Sequence, residues 1–155
     1  KDKIEKEGLR AVILRLGTIF GTSPGMRFHT AVNKFCWQAV MGQPLTIWKT
    51  AFDQKRPYLD LVDAIRVIAF FLKNNNFDGR VYNVVTLNST VREMVGIIRG
   101  FIPELTTEFV DSQIMNQLSY EVINKRLVEE NFVFQGDIEK GIKDTILLLK
   151  QSMSR

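Results

Sequence analysis

Hydrophobic positions along this chain alternate between short continuous runs and stripes of helical spacing. Ala11 to Leu16 is an almost unbroken apolar run rich in branched side chains, closed by Gly17 and Gly21. A run that short reads as a strand buried on both faces, as in a parallel sheet covered by helices. Val32, Phe35, Cys36, Ala39 and Val40 then recur at helical spacing, and Gly42 with Pro44 ends that helix. Leu45–Trp48 predicts a strand, Lys49 to Arg56 a polar loop, and Pro57 to Leu61 a further extended segment. Val62 to Leu72 predicts a helix with Ile65, Ile68, Ala69 and Leu72 on one face, made apolar nearly all round by Val67, Phe70 and Phe71. Such a helix is expected to lie between two layers.

The second half continues the alternation. Asn74, Asn75 and Asn76 with Asp78 and Gly79 form a turn cluster, followed by a buried-type strand from Val81 to Val85. Thr90 and Glu93 spell a capping box before a face of Val91, Met94, Val95, Ile98 and Ile102, stopped by Pro103. Thr106 to Val110 is a weaker strand, and two helices follow, about Tyr120–Glu130 and Asp137–Lys150. Strands alternating with helices give an α/β fold with part of a parallel sheet.

Composition adds exclusions. At 155 residues, 45% hydrophobic and 25% charged, the chain supports one core-forming domain. Its longest apolar run, Val67 to Leu72, is too short to span a bilayer. A single cysteine, Cys36, excludes an internal disulfide, and a cytoplasmic setting is the expectation. The net charge of +4 is spread without a dense block, which suits a small anionic ligand and argues little for nucleic acid. Lys1 to Glu7 reads as the charged tail of a helix that begins upstream, and hence the chain as a piece of a longer protein. One histidine and one cysteine are too few for a usual zinc site. His29 and Cys36, seven residues apart on a helix, stand about 10 Å from each other, too far for a nucleophilic pair. Arg15 interrupts the first strand and needs a partner; a strand-end anchor or pairing with Asp60 or Asp63 is expected.

Several segments, in order, resemble the carboxyl-terminal half of extended short-chain dehydrogenase/reductases, the family of NAD(P)-dependent nucleotide-sugar epimerases and dehydratases. They are Leu14 to Gly21 with Ser23-Pro24, Met26 to Phe28, Gly42 to Ile47, Arg56 to Ala64, Gly79 to Val84, and Ser119-Tyr120 with the helix after it. The resemblance implies the last strand or strands of a Rossmann-type sheet plus a small α/β substrate-binding lobe. In the family a glycine-rich turn binds the cofactor phosphates and a Tyr-x-x-x-Lys pair moves the proton, the tyrosine as acid/base and the lysine lowering its pKa, and both lie before the point where this sequence starts. Neither occurs here. Tyr58, Tyr82 and Tyr120 have Val62, Thr86 and Asn124 four residues on, and the glycines at 17, 21, 25, 96 and 100 do not give Gly-x-Gly-x-x-Gly. The chain is therefore expected to carry no catalytic residue and to bind no NAD or NADP by itself, the cofactor belonging to an N-terminal half.

What the resemblance places here is sugar-nucleotide binding. Arg56 falls where the family sets an arginine on the substrate diphosphate, a suitable fork for phosphate oxygens. Thr18 replaces a frequent asparagine at the strand exit and keeps a hydroxyl of shorter reach. Arg27, His29 and Asn33 open the substrate-side helix, where free N–H groups favour an anion. His29 stands where an acid or amide is common, and Leu118 where an arginine often touches the nucleotide. Trp37 and Trp48 read as packing residues, Trp48 also as a platform for a base. The expected partners are a nucleotide-sugar and the N-terminal half, with homo-oligomerisation through the open edge of the first strand. The rival reading, to which Thr18 and Leu118 point, is a non-catalytic relative binding a protein or RNA partner.

Overall fold

The computed structural model describes residues 7–111 and 118–154, so the expected helical tail lies outside it except for Glu7. The elements are β1 (Ala11–Leu16), β2 (Thr18–Phe20), α1 (Ala31–Val40), β3 (Leu45–Trp48), β4 (Arg56–Asp60), α2 (Leu61–Lys73) and β5 (Asp78–Val84). They continue with β6 (Leu87–Ser89), α3 (Val91–Phe101), β7 (Thr107–Val110), α4 (Lys125–Glu129) and α5 (Ile138–Met153). Three parallel pairings, β1 with β5, β2 with β4 and β3 with β7, confirm the α/β expectation, and β6 adds antiparallel to β4. No described helix is long and apolar enough to cross a membrane.

Two cores result. The larger gathers Phe20, the predicted face of α1 (Val32, Phe35, Cys36, Ala39), Leu45 and Ile47 of β3, the predicted face of α3, and Ile142, Ile146 and Leu149 of α5. The smaller joins Leu59, Ala64, Val67, Phe71, Tyr82, Val84, Leu127 and Phe132. Burying each large apolar side chain in them contributes about 1.5–3 kcal/mol. Helix ends follow their sequence signals: the Thr90–Glu93 capping box forms in full, and Asp60 and Asp137 cap α2 and α5.

Four expectations need correction. β1 is not buried on both faces: it pairs with β5 alone among the described strands, and Leu16 is 44% exposed. On α2 the buried stripe is Ala64, Val67 and Phe71, with the Phe71 ring 4.8 Å from that of Tyr82, while Ile65 and Leu72 are 60% and 64% exposed. A helix apolar all round carries no contrast from which spacing can choose the inner face.

The helix expected over Tyr120–Glu130 shrinks to Lys125–Glu129 because the preceding residues bond sideways. The Ser119 hydroxyl accepts from Lys55 N at 3.0 Å, the Val122 amide donates to Asn88 Oδ1 at 2.9 Å, and Asn83 Nδ2 donates to the Ile123 carbonyl at 3.2 Å. Finally, Arg15 meets neither Asp60 nor Asp63. Asp60 accepts from Val62 N at 2.9 Å and Asp137 N at 3.2 Å, and Asp63 from Gln135 N at 2.8 Å and Gly136 N at 2.9 Å. Both carboxylates instead hold the segment leading into α5.

Candidate functional site

The exit of β1 is shaped by close backbone approach. Gly17 donates its amide to the Val84 carbonyl at 2.9 Å, and a Cβ there would sit 3.1 Å from the Pro57 carbonyl oxygen. β2 can therefore swing across to pair with β4, placing Thr18 opposite Tyr58. Gly21 then turns at φ +116°, a conformation that side chains other than glycine's rarely adopt, and sends the loop toward α1. Asn33 holds that loop. Its Oδ1 accepts from Gly21 N at 3.4 Å, and its Nδ2 donates to the Arg27 carbonyl at 3.2 Å. The buried Asn33 thus sets the loop's shape, with both ends of its amide engaged.

Thr18, Arg27, His29 and Asn33 line one hollow of about 550 Å³ between this loop and α1. Arg56 lines a neighbouring hollow of about 190 Å³ with Lys34, Thr46, Trp48 and Tyr58. His29 borders both. The expected site residues are therefore brought into two adjoining hollows, and four of the five share one. Thr18, Arg27 and His29 are exposed to solvent there.

Positive charge dominates the smaller hollow. Lys34 Nζ donates to the Thr46 carbonyl at 3.3 Å and lies 5.8 Å from the Phe35 ring centre. Thr46 is fixed in turn by Gln38, whose Nε2 donates to its hydroxyl at 2.9 Å. Arg56 donates to the Leu118 carbonyl and, at 2.9 Å, to Gln54 Oε1, with Tyr120 4.9 Å away under its guanidinium. The Leu118 side chain, where relatives of the resembled type carry an arginine, points to solvent at 79% exposure, and its main chain does the contacting. Burial pushes the Tyr58 phenol up to about 12, partly opposed by the nearby Arg56, so this tyrosine stays protonated and is no general base. α1 also differs from α2, α3 and α5 in having neither a capping side-chain bond nor an acid in its first turn. No capping side chain or acid at this helix start would compete with an anion for its first N–H groups. Lys34 and Thr46 were not singled out from sequence, although Lys34 is the one cation within α1.

Residues 2–85 match the NAD dependent epimerase/dehydratase family. The chain belongs to this family. Among curated proteins it is 31% identical over 108 residues to the chloroplastic UDP-sulfoquinovose synthase of Spinacia oleracea, a match covering 59% of this chain and 22% of that enzyme. Its fold is shared with dTDP-glucose 4,6-dehydratase from Streptomyces venezuelae (TM-score 0.83, 19% identity, 99% of this chain and 48% of that one). UDP-glucuronic acid 4-epimerase from Bacillus cereus, solved with UDP-glucuronic acid and NAD, gives 0.80 at 21% identity, covering 96% of this chain and 48% of that one. The chain thus spans about half the length of these solved relatives and 22% of the curated one. Gly96 and Gly100 lie inside α3 rather than on a strand-to-helix turn, and Gly17, Gly21 and Gly25 form the loop over the larger hollow.

Proposed function

We propose that this chain is the nucleotide-sugar-binding part of an NAD(P)-dependent epimerase or dehydratase. The observation that carries the reading is the junction at His29 of a hollow holding Lys34 and Arg56 with one that holds Thr18, Arg27 and Asn33. Lys34 and Arg56 offer charge-assisted hydrogen bonds to a diphosphate, and the exposed ring of Trp48 offers the base a face. Thr18, Arg27 and His29 present polar groups to the sugar across the shared border. Anchoring the nucleotide lets binding energy remote from the reaction hold the sugar ring in place. NAD or NADP supplies hydride chemistry in this family's enzymes, and in this reading an N-terminal half holds it along with the proton-transferring groups.

Two surfaces support such a half. β1 offers an open edge, and α2 presents Val62, Ile65, Ile68 and Leu72 to solvent, a strip that a second lobe would cover. The test is calorimetric titration of UDP-sugars against the full-length protein and its Arg56→Ala variant. Loss of one charge-assisted phosphate contact predicts about tenfold or more weaker binding. Unchanged affinity would remove Arg56 from the phosphate site.

A further inference from the structure

We infer that the chain carries a second oxyanion site, specific for a phosphate group, between the end of β1 and the start of α4. Arg15, Lys125 and Arg126 line one hollow of about 300 Å³, with Asn83 and Asn124 beside them. No described residue lining it is acidic. The wall is built rather than fluid. Arg126 Nη1 donates to the Val81 carbonyl at 2.7 Å, Asn124 Oδ1 accepts from Val85 N at 3.0 Å, and Asn83, paired across the sheet with Arg15, donates to the Ile123 carbonyl at 3.2 Å. α4 is thereby stitched to β5, with the Arg126 guanidinium held at the opening that Arg15 also lines.

Three cations share this opening, Lys125 with Glu129 Oε1 3.9 Å from its Nζ as a counter-ion, and a multiply charged anion relieves the repulsion that remains. Guanidinium forks match tetrahedral oxyanions in particular, and the carboxamides add neutral donors. The hollow accommodates a phosphate group but has no exposed aromatic ring among its lining residues on which a base would stack. This site is separate from the nucleotide-sugar hollows, with which it shares no lining residue.

The experiment is titration of the isotope-labelled protein with inorganic phosphate, followed by backbone amide shifts, for the wild type and for Arg15→Gln, Lys125→Gln and Arg126→Gln. Shifts are expected at Arg15, Asn83 and Asn124–Arg126, with affinity about tenfold weaker in each variant and falling with added salt. Lys125, with 77% of its side chain open, gives a variant little able to disturb folding. A parallel titration with AMP separates the sources: equal affinity indicates free phosphate, and much tighter binding indicates a nucleotide's phosphate. Shifts confined to His29–Lys34 and Arg56, or an affinity unaltered in all three variants, overturn the second site. Neither result bears on Arg56→Ala and UDP-sugar binding.

Discussion

Replacing Asp63 tests how the site loop is supported. Its fully buried carboxylate accepts from Gln135 N at 2.8 Å, Gly136 N at 2.9 Å and the Thr86 hydroxyl at 2.9 Å, with Arg66 at 3.4 Å. Asp63→Ala leaves two backbone donors and a hydroxyl without their acceptor. At about 1–3 kcal/mol for each stranded group, with some relief from Thr86 rotating and water entering, the loss is about 4 kcal/mol. Asp63→Asn keeps the volume and one acceptor oxygen but turns an amide N–H toward a donor, so about 2 kcal/mol is expected. Both values are large against a typical domain stability of about 5–15 kcal/mol. Urea unfolding followed by the fluorescence of Trp37 and Trp48 reads them directly. The consequence reaches the site, because Asp60, which holds the same segment through Asp137, lies beside Gly21 at the foot of the loop. If Asp63→Ala costs less than about 1 kcal/mol, the carboxylate is not the anchor of this segment and the reasoning fails.

Two further outcomes follow from packing. Cys36 is fully buried, and burial pushes its thiol from about 9 up to about 12, so a water-soluble thiol reagent should modify it only as fast as the protein unfolds. Its stabilising effect is complete below about pH 9 and declines as pH rises from there toward about 12; rapid modification of the folded protein at neutral pH would contradict its placement. Glycines should respond with opposite signs. A Cβ on Gly136 would stand 2.3 Å from Asp60 Cβ and 2.6 Å from Asp63 Oδ2, so Gly136→Ala should lower stability by about 2 kcal/mol or more. Gly96→Ala, in α3 with open space around it, should raise stability by about 1 kcal/mol, and thermal melts of the two variants check the contrast.

Much of the fold was legible because local signals and tertiary packing agree. β1, α1, β3 and α3 fall where apolar period and caps place them, and the Thr90–Glu93 box closes as spelled. The misses share a cause: the deciding partner lies far away in sequence. β2 and β6 are three residues each, too short for a period, and exist because both pair with β4. Residues 120–124 look helical locally but are claimed by Lys55, Asn83 and Asn88. Asp60 and Asp63, nearest in kind to what Arg15 needs, serve backbone amides more than seventy positions on. At the site, resemblance pointed to Arg56, Thr18 and the opening of α1, and the structure sets them in adjoining hollows. Asn33 proved to hold the loop, and Lys34 was passed over because charge on the outer side of an amphipathic helix is ordinarily just solvated. The basic hollow around Arg15 gathers residues more than a hundred positions apart, which no charge run could reveal.

The central claim is that the two hollows meeting at His29 form one nucleotide-sugar cleft. Amide-shift mapping tests it most directly, with UDP and UDP-glucose titrated separately into the isotope-labelled protein. The account predicts that UDP perturbs Thr46–Arg56 and Lys34, and that the sugar extends the perturbation through Thr18 and Arg27–Thr30. Saturating shifts that avoid both hollows, or no shifts with either ligand, would contradict it.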